Sequence, residues 1–390
     1  MEHKTRIKGN VHYVGVNDRN KHRFEGMWPL PYGVSYNSYL IDDEMVALVD
    51  TVDICYFEVY LRKIKQVIGE RPINYLIINH MEPDHSGSIR LIKQHYPEII
   101  IVGNKQTFGM IEGFYGVTGE QYLVALGHHK LRFYMTPMVH WPETMMTFDE
   151  TDGVLFSGDG FGCFGTVDGG FLDTRINVDK YWGEMVRYYS NIVGKYGSPV
   201  QKALQKLGGL PISAICSTHG PVWTENIAKV IGIYDRLSRY DADEGVVIAY
   251  GSMYGNTEQM AEAIAEELSA QGVKNIVMHN VTKSHPSYII ADIFRYKGLI
   301  IGSPTYSNQI FPEVEALLSK ILLREVKGRY LGYFGSFTWA GAAVKRLAEF
   351  AEKSKFELVG DPVEMKQAMK DLTYTQCENL ARAMADRLKK

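Results

Sequence analysis

Apolar runs that end abruptly in single polar side chains set the pattern of the first half of this chain. Residues 75–78 read as a buried strand that empties into Asn79-His80-Met81-Glu82-Pro83-Asp84-His85. Ser86-Gly87-Ser88, followed by Ile89, Leu91 and Ile92, then reads as the start of a helix, so four metal-capable side chains fall on the turn between the two elements. The device repeats: the run 131–138 leads to His140, 154–157 to Asp159, and 214–217 to His219. The pattern predicts four strand ends offering ligands to one edge of a sheet, where rigid elements hold a site well. Upstream, strand-like runs at 11–16, 38–41 and 46–50 precede a helix at about 56–68, and the spacing of Tyr181, Met185, Tyr188 and Tyr189 predicts a helix over 177–207.

Around residues 237–244 the pattern breaks into a polar segment and restarts as Gly245-Val-Val-Ile-Ala-Tyr250. From there strands (246–250, 275–279, 298–302, 330–335) alternate with helices (258–271, 311–322, 341–353, 375–388), the grammar of a doubly wound parallel sheet. The reading is therefore α/β with two domains, 1–243 and 244–390.

Three loops at the carboxyl edge of that second sheet carry ligand-type residues. Ser252-Met253-Tyr254-Gly255-Asn256-Thr257 opens a helix and forms an anion nest for a terminal phosphate; it is not G-x-G-x-x-G, and Gly-Lys-Thr is absent. Ser303-Pro304-Thr305-Tyr306-Ser307-Asn308 follows the third strand and Ser336-Phe337-Thr338-Trp339-Ala340-Gly341 the fourth. These two supply backbone amides for a polar ring edge, with Tyr306 and Trp339 as the aromatic flanks.

Composition narrows the partners. A formal charge of -3 and a sequence pI near 6.5 carry no footprint for nucleic acid, and no run approaches a membrane span. The four cysteines stand far apart without a C-x-x-C pair, which argues against a zinc ribbon, an appended rubredoxin centre or a disulfide framework. With no signal-peptide core at the start of the sequence, the expected location is cytoplasmic.

His80, Glu82, Asp84, His85, His140, Asp159 and His219 make two ligand sets. Imidazole suits zinc or iron, and the large carboxylate share, with one carboxylate bridging, leans towards a pair of irons. Asp50 ends a strand outside the ligand spacing and reads as support for the ligands. His128 and His129, paired in a polar turn, read as solvated, and His3, His12, His22, His95, His279 and His285 as ordinary histidines.

The segment His80-Met-Glu82-Pro-Asp84-His85 resembles the metallo-β-lactamase signature H-x-H-x-D-H with Glu in place of the second His. That replacement, together with His140-Trp-Pro-Glu-Thr144, Ser157-Gly-Asp159 and Ser217-Thr-His219-Gly-Pro221, resembles the flavodiiron (A-type flavoprotein) family, and residues 244–390 resemble flavodoxin. The resemblance implies a metallo-β-lactamase-like αββα sandwich followed by a flavodoxin-like domain holding FMN. It also implies one iron on His80, Glu82 and His140, a second on Asp84, His85 and His219, and Asp159 bridging. Some relatives leave the His85 position off the metal. The implied activity is reduction of dioxygen to water or of nitric oxide to nitrous oxide. Electrons would come from a rubredoxin or similar donor, within a head-to-tail homodimer or a tetramer. Tyr189 is the candidate hydrogen-bond donor to the gas pocket. Glu25 stands where some relatives carry a His, which removes one proposed donor. The competing reading is a dizinc hydrolase of the lactamase or glyoxalase type with a flavodoxin tail.

Overall fold

Three principal sheets organise the chain, whose computed structural model describes residues 4–117 and 126–389. His3 lies outside the described residues. Two compact units emerge: Met1–Tyr189 with Tyr196–Ser238, and Ser190–Lys195 with Arg239–Lys390.

The first unit holds a six-stranded sheet in the order Arg6–Lys8, Val11–Tyr13, Tyr39–Ile41, Ala47–Val49, Tyr75–Ile77, Ile100–Val102. Its first three junctions are antiparallel and its last two parallel. A four-stranded sheet runs Leu131–Met135, Met145–Asp149, Val154–Gly158, Ala214–Ser217, with only the last pairing parallel. One core joins them: Tyr39, Ile41, Val49 and Ile77 of the larger sheet share it with Met145, Val154, Phe156 and Cys216 of the smaller. The alternate residues Leu40, Leu48 and Leu76 are equally inaccessible, so the larger sheet is buried on both faces, as strands under helices are.

This arrangement corrects two sequence expectations. The ligand-bearing strand ends do not share one sheet: Tyr75–Ile77 belongs to the six-stranded sheet and the other three strands to the four-stranded one. A period-two pattern fixes which face of a strand is buried but not which sheet it joins. Nor is 177–207 one helix. Asp179–Tyr188 gives way to a π-helical turn, Tyr189–Val193, and a 3-10 turn, Gly194–Tyr196, before Gly197–Leu207 resumes. Gly194 lies so close to the Phe294 ring that a Cβ would stand 2.7 Å from it.

The second unit is a parallel sheet in the order Ile276–Asn280, Asp243–Tyr250, Tyr296–Tyr306, Tyr330–Phe337, with Glu357–Leu358 and Val363–Lys366 on the outer edge of the last. By strand sequence this is 2-1-3-4-5, which puts a topological switch point between Asp243–Tyr250 and Tyr296–Tyr306. Val246, Ile248, Ile300 and Phe334 form its core with Met260, Ile264, Leu380 and Met384 from the helices Asn256–Ala270 and Asp371–Leu388. The helix Pro286–Arg295 escaped the sequence pattern because it runs into the strand Tyr296–Tyr306 with no breaking residue between.

Candidate metal centre and ligand pocket

The loop after Tyr75–Ile77 is built on Asp50. One carboxylate oxygen of Asp50 accepts the amide hydrogens of Asn79 (2.7 Å) and His80 (3.3 Å), and the other accepts the Asn79 side-chain amide at 3.1 Å. Burial pushes the Asp50 carboxyl up to about 6. Pro83 then starts a single helical turn, Pro83–Ser86, that carries Asp84 and His85, so the predicted plain turn is a short helix. The His85 carbonyl is fixed by the amide (2.7 Å) and hydroxyl (2.6 Å) of Thr51.

His140 lies not at a strand end but on a turn beyond Leu131–Met135. That turn is closed by Thr136 N–H to Thr144 O (3.0 Å) and by the Thr144 hydroxyl donating to the Thr136 carbonyl (2.5 Å). Asp159 follows Val154–Gly158 and accepts the Thr218 hydroxyl at 2.5 Å. His219 follows Ala214–Ser217 and donates from Nδ1 to the Ser35 carbonyl at 2.7 Å, which leaves Nε2 facing the cluster. Behind it, Gly220 has φ +80° and sits against Cys163, whose sulfur would lie 2.2 Å from a Cβ there.

Seven buried side chains converge as two groups, His80, Glu82, His140, Asp159 and Asp84, His85, His219, with the donor atoms of each group within 4.8 Å of one another. Asp159 divides between them. Its Oδ2 lies 3.1 Å from His140 Nε2, and its Oδ1 lies 3.2 Å from His85 Nε2 and 3.8 Å from His219 Nε2. Glu82 Oε2 stands 3.4 Å from His80 Nε2 and 3.2 Å from His140 Nε2; the Asp84 oxygens stand 3.3 Å from His85 and 3.4 Å from His219.

Donor atoms about 3 Å apart are what metal bonds of about 2.0–2.2 Å produce. Among the described residues His80 Nε2, Glu82 Oε2 and both Asp84 oxygens find no hydrogen-bond partner though buried, so the residues present fit a pair of cations. The electrostatics agree. Burial pulls His80 down, but the charge of Asp159, the hydrogen bond to Glu143 and the nearby Glu82 carboxylate hold it well above the usual imidazole value. Burial, then Glu82, pushes Asp84 well above the carboxylate range, whereas His80 and His85 overcome burial to hold Asp159 well below it.

The neighbours of the cluster were only partly foreseen. Tyr189 packs its ring edge-on against Tyr234 at 5.1 Å. The adjacent Tyr188 borders the cluster, with its ring 5.6 Å from His219 and its buried hydroxyl pushed upward by burial and by Asp159. The helix ends at Tyr188, and the π turn begins at Tyr189. Glu143, which the pattern did not single out, accepts from His80 Nδ1 (2.8 Å) and the Met81 amide (2.9 Å), and its signal was its place three residues after His140. Glu25 accepts from the Trp28 indole at 3.0 Å, and desolvation followed by Glu82 raises its carboxyl.

His129 also departs from expectation. It is buried and donates to Asp149 at 2.9 Å, because strand pairing sets Asp149 opposite Leu131; His128 is exposed as expected.

In the second unit the three loops enclose a cavity of about 430 Å³. Ser252, Asn256 and Thr257 line one side, Pro304 to Asn308 another, and Ser336 to Ala340 a third, with Gln367 added from beyond the predicted loops. The loops are laced together: the hydroxyls of Thr257 and Ser336 meet at 2.8 Å, and the Thr305 hydroxyl accepts the amides of Ala342 (3.1 Å) and Ala343 (3.2 Å). Trp339 is 79% exposed and Tyr306 48%, as aromatic flanks of an open slot. Gly255, Ser303 and Gly341 do not line it. Gly255 supplies the left-handed cap of the helix Asn256–Ala270, Ser303 is tied to the Pro304 carbonyl, and Gly341 lies against Glu364.

Residues 34–220 match the ODP family beta lactamase and residues 248–379 match flavodoxin. The chain is 32% identical to an anaerobic nitric oxide reductase flavorubredoxin of Vibrio vulnificus over 365 residues, 90% of this chain and 73% of that protein. Among solved structures it resembles the rubredoxin oxygen:oxidoreductase of Desulfovibrio gigas, with TM-score 0.94 and 30% identity over 99% of this chain and 98% of that one. It also resembles the flavodiiron protein of Giardia intestinalis, with TM-score 0.91 and 27% identity over 97% and 95% of the two chains. A two-cation donor set on a lactamase-type sandwich, continued into a flavodoxin unit, defines a metal-dependent flavoprotein oxidoreductase. The chain belongs to the flavodiiron protein family. Among the described residues no helix is long and apolar enough to cross a membrane.

Proposed function

We propose that this chain takes electrons through FMN to a pair of non-haem irons and there reduces dioxygen to water, nitric oxide to nitrous oxide, or both, as detoxification of these gases. What carries the reading is the carboxylate-rich donor set, with Glu82 in the first group and one Asp159 oxygen turned to each group. Bound there, iron supplies one-electron chemistry and affinity for a diatomic gas, which zinc does not.

His80, Glu82 and His140 hold one iron; Asp84, His85 and His219 hold the other; Asp159 lies between them. The Tyr188 hydroxyl, aimed at this cluster, takes the hydrogen-bonding role expected of Tyr189. In the second unit the helix start at Asn256 offers its amides to the FMN phosphate, and Trp339 and Tyr306 flank the ring. Residues 1–243 serve as the diiron domain and 244–390 as the FMN domain. A rubredoxin-type protein supplies the electrons in the cytoplasm, and a head-to-tail homodimer brings the FMN of one subunit to the irons of the next.

The test is to load the protein with iron, reduce it anaerobically, and compare turnover with dioxygen and nitric oxide using rubredoxin as donor. Asp159→Asn is expected to abolish gas reduction while FMN stays bound; unchanged activity would sink the bridging role. Zinc in place of iron, with hydrolytic turnover, would establish the dizinc hydrolase instead. Glu82 at the second-His position speaks against that reading.

A further inference from the structure

The histidines of the two donor groups are supported unequally from behind. His80 is fully buried, and its Nδ1 donates at 2.8 Å to the carboxylate of Glu143, which is itself inaccessible. That carboxylate also accepts the Met81 amide, the Glu143 carbonyl accepts the Asn104 side-chain amide at 2.6 Å, and the Trp141 ring stands edge-on to His80 at 5.4 Å. In the second group, among the described residues, His219 is backed only by a neutral carbonyl, that of Ser35, and His85 Nδ1 makes no hydrogen bond.

A carboxylate behind an imidazole fixes its tautomer and raises the basicity of the nitrogen left facing the metal; a carbonyl fixes the tautomer with less charge, and no partner does neither. Glu143 also sits on the same short turn as His140, three residues on. One turn, pinned by the Thr136–Thr144 bonds and by Asn104, thus carries one donor of the first group and orients another.

We infer that Glu143 is a positioning residue that makes the two metal positions inequivalent: the group His80, Glu82, His140, Asp159 fills first and tightly, and the group Asp84, His85, His219 fills second and is emptied first. The inference rests on the two-cation reading of the site, but not on which gas is reduced.

The test uses the metal-free full-length protein titrated anaerobically with Co²⁺, followed by calorimetry and visible ligand-field absorption. Two steps separated by at least about tenfold in affinity are expected, since losing such support typically costs about 10–100-fold in metal binding. His140→Ala should remove the tight step and His219→Ala the weak one. Glu143→Gln should weaken the tight step by at least about tenfold and leave the weak step in place. Steps closer than tenfold, a smaller shift in Glu143→Gln, or a shift in the weak step overturns the inference.

A measurement on the unmutated protein covers the case in which Glu143→Gln does not fold. In Zn²⁺-loaded protein with ¹⁵N-labelled histidine, the His80 ring should show its metal on Nε2 and a hydrogen-bonded proton on Nδ1, and metal on Nδ1 would refute the assignment. If iron-loaded protein reduces neither gas, the functional proposal fails while the Co²⁺ series still decides this one.

Discussion

His85 and His219 face each other Nε2 to Nε2 across 3.1 Å, both rings fully buried. Two lone pairs at that distance repel unless a proton or a cation stands between them. Burial, followed by the charge interaction with His85, holds His219 below its ordinary value, so a proton is poorly accommodated there. A cation that binds only the folded protein removes this conflict and stabilises the fold by mass action. Free metal at a hundredfold excess over its dissociation constant should add about 2.7 kcal/mol per independent site. Chelation should therefore lower the melting temperature, and the shift should scale with the logarithm of free metal. A melting temperature independent of metal would contradict a folded-state site.

The metal-free protein should also lose stability in alkali. Burial lowers His140, but the hydrogen bond to Asp159 and then the nearby Glu82 carboxylate raise it to about 9. A histidine raised in the folded state contributes stability that is fully present below its unfolded value, about 6.5, and is lost as pH rises through about 9. The contribution is on the order of 3 kcal/mol, so urea midpoints of the apo protein should fall between about pH 6.5 and 9. His140→Ala should remove that part of the slope.

Gly220→Ala should damage both the fold and the second donor group. Gly220 has φ +80°, and an added Cβ would press on the Cys163 sulfur. Strain of this kind costs about 1–3 kcal/mol and acts on the residue next to His219. Thermal unfolding should show the loss, and metal analysis should show depletion greater than in Gly26→Ala, which shares the positive φ (+68°) but whose Cβ would meet nothing within 4 Å among the described residues.

Trp339→Ala should loosen the flavin without touching the metals. An aromatic contact of this type is worth about 0.5–1.5 kcal/mol beyond its area, so FMN release should rise up to roughly tenfold. Fluorescence of released FMN measures it, with iron content as the control.

The sequence displayed the seven donors because each follows an apolar run or stands in one dense segment, and periodicity finds such ends. It left Glu143 and Tyr188 unread for a geometric reason: what they do depends on a turn and on the end of a helix, where phase is not set by composition. Tyr188 and Tyr189 are identical letters, and only the structure shows that the first closes the helix and the second opens the π turn. His129 looked solvated because its partner, Asp149, lies twenty residues on and reaches it through strand pairing. In the second unit the alternation of elements was plain, whereas Gln367 reaches the cavity from beyond the last short strand and carries no local mark.

The donors come from two sheets. His80, Glu82, Asp84 and His85 follow a strand of the larger one, and His140, Asp159 and His219 follow strands of the smaller. A cation shared across that seam acts as a rivet between layers that are distant in sequence, so the donor cage is complete only after both layers have met. Removing the metal should therefore loosen the join between the two layers as well as empty the site.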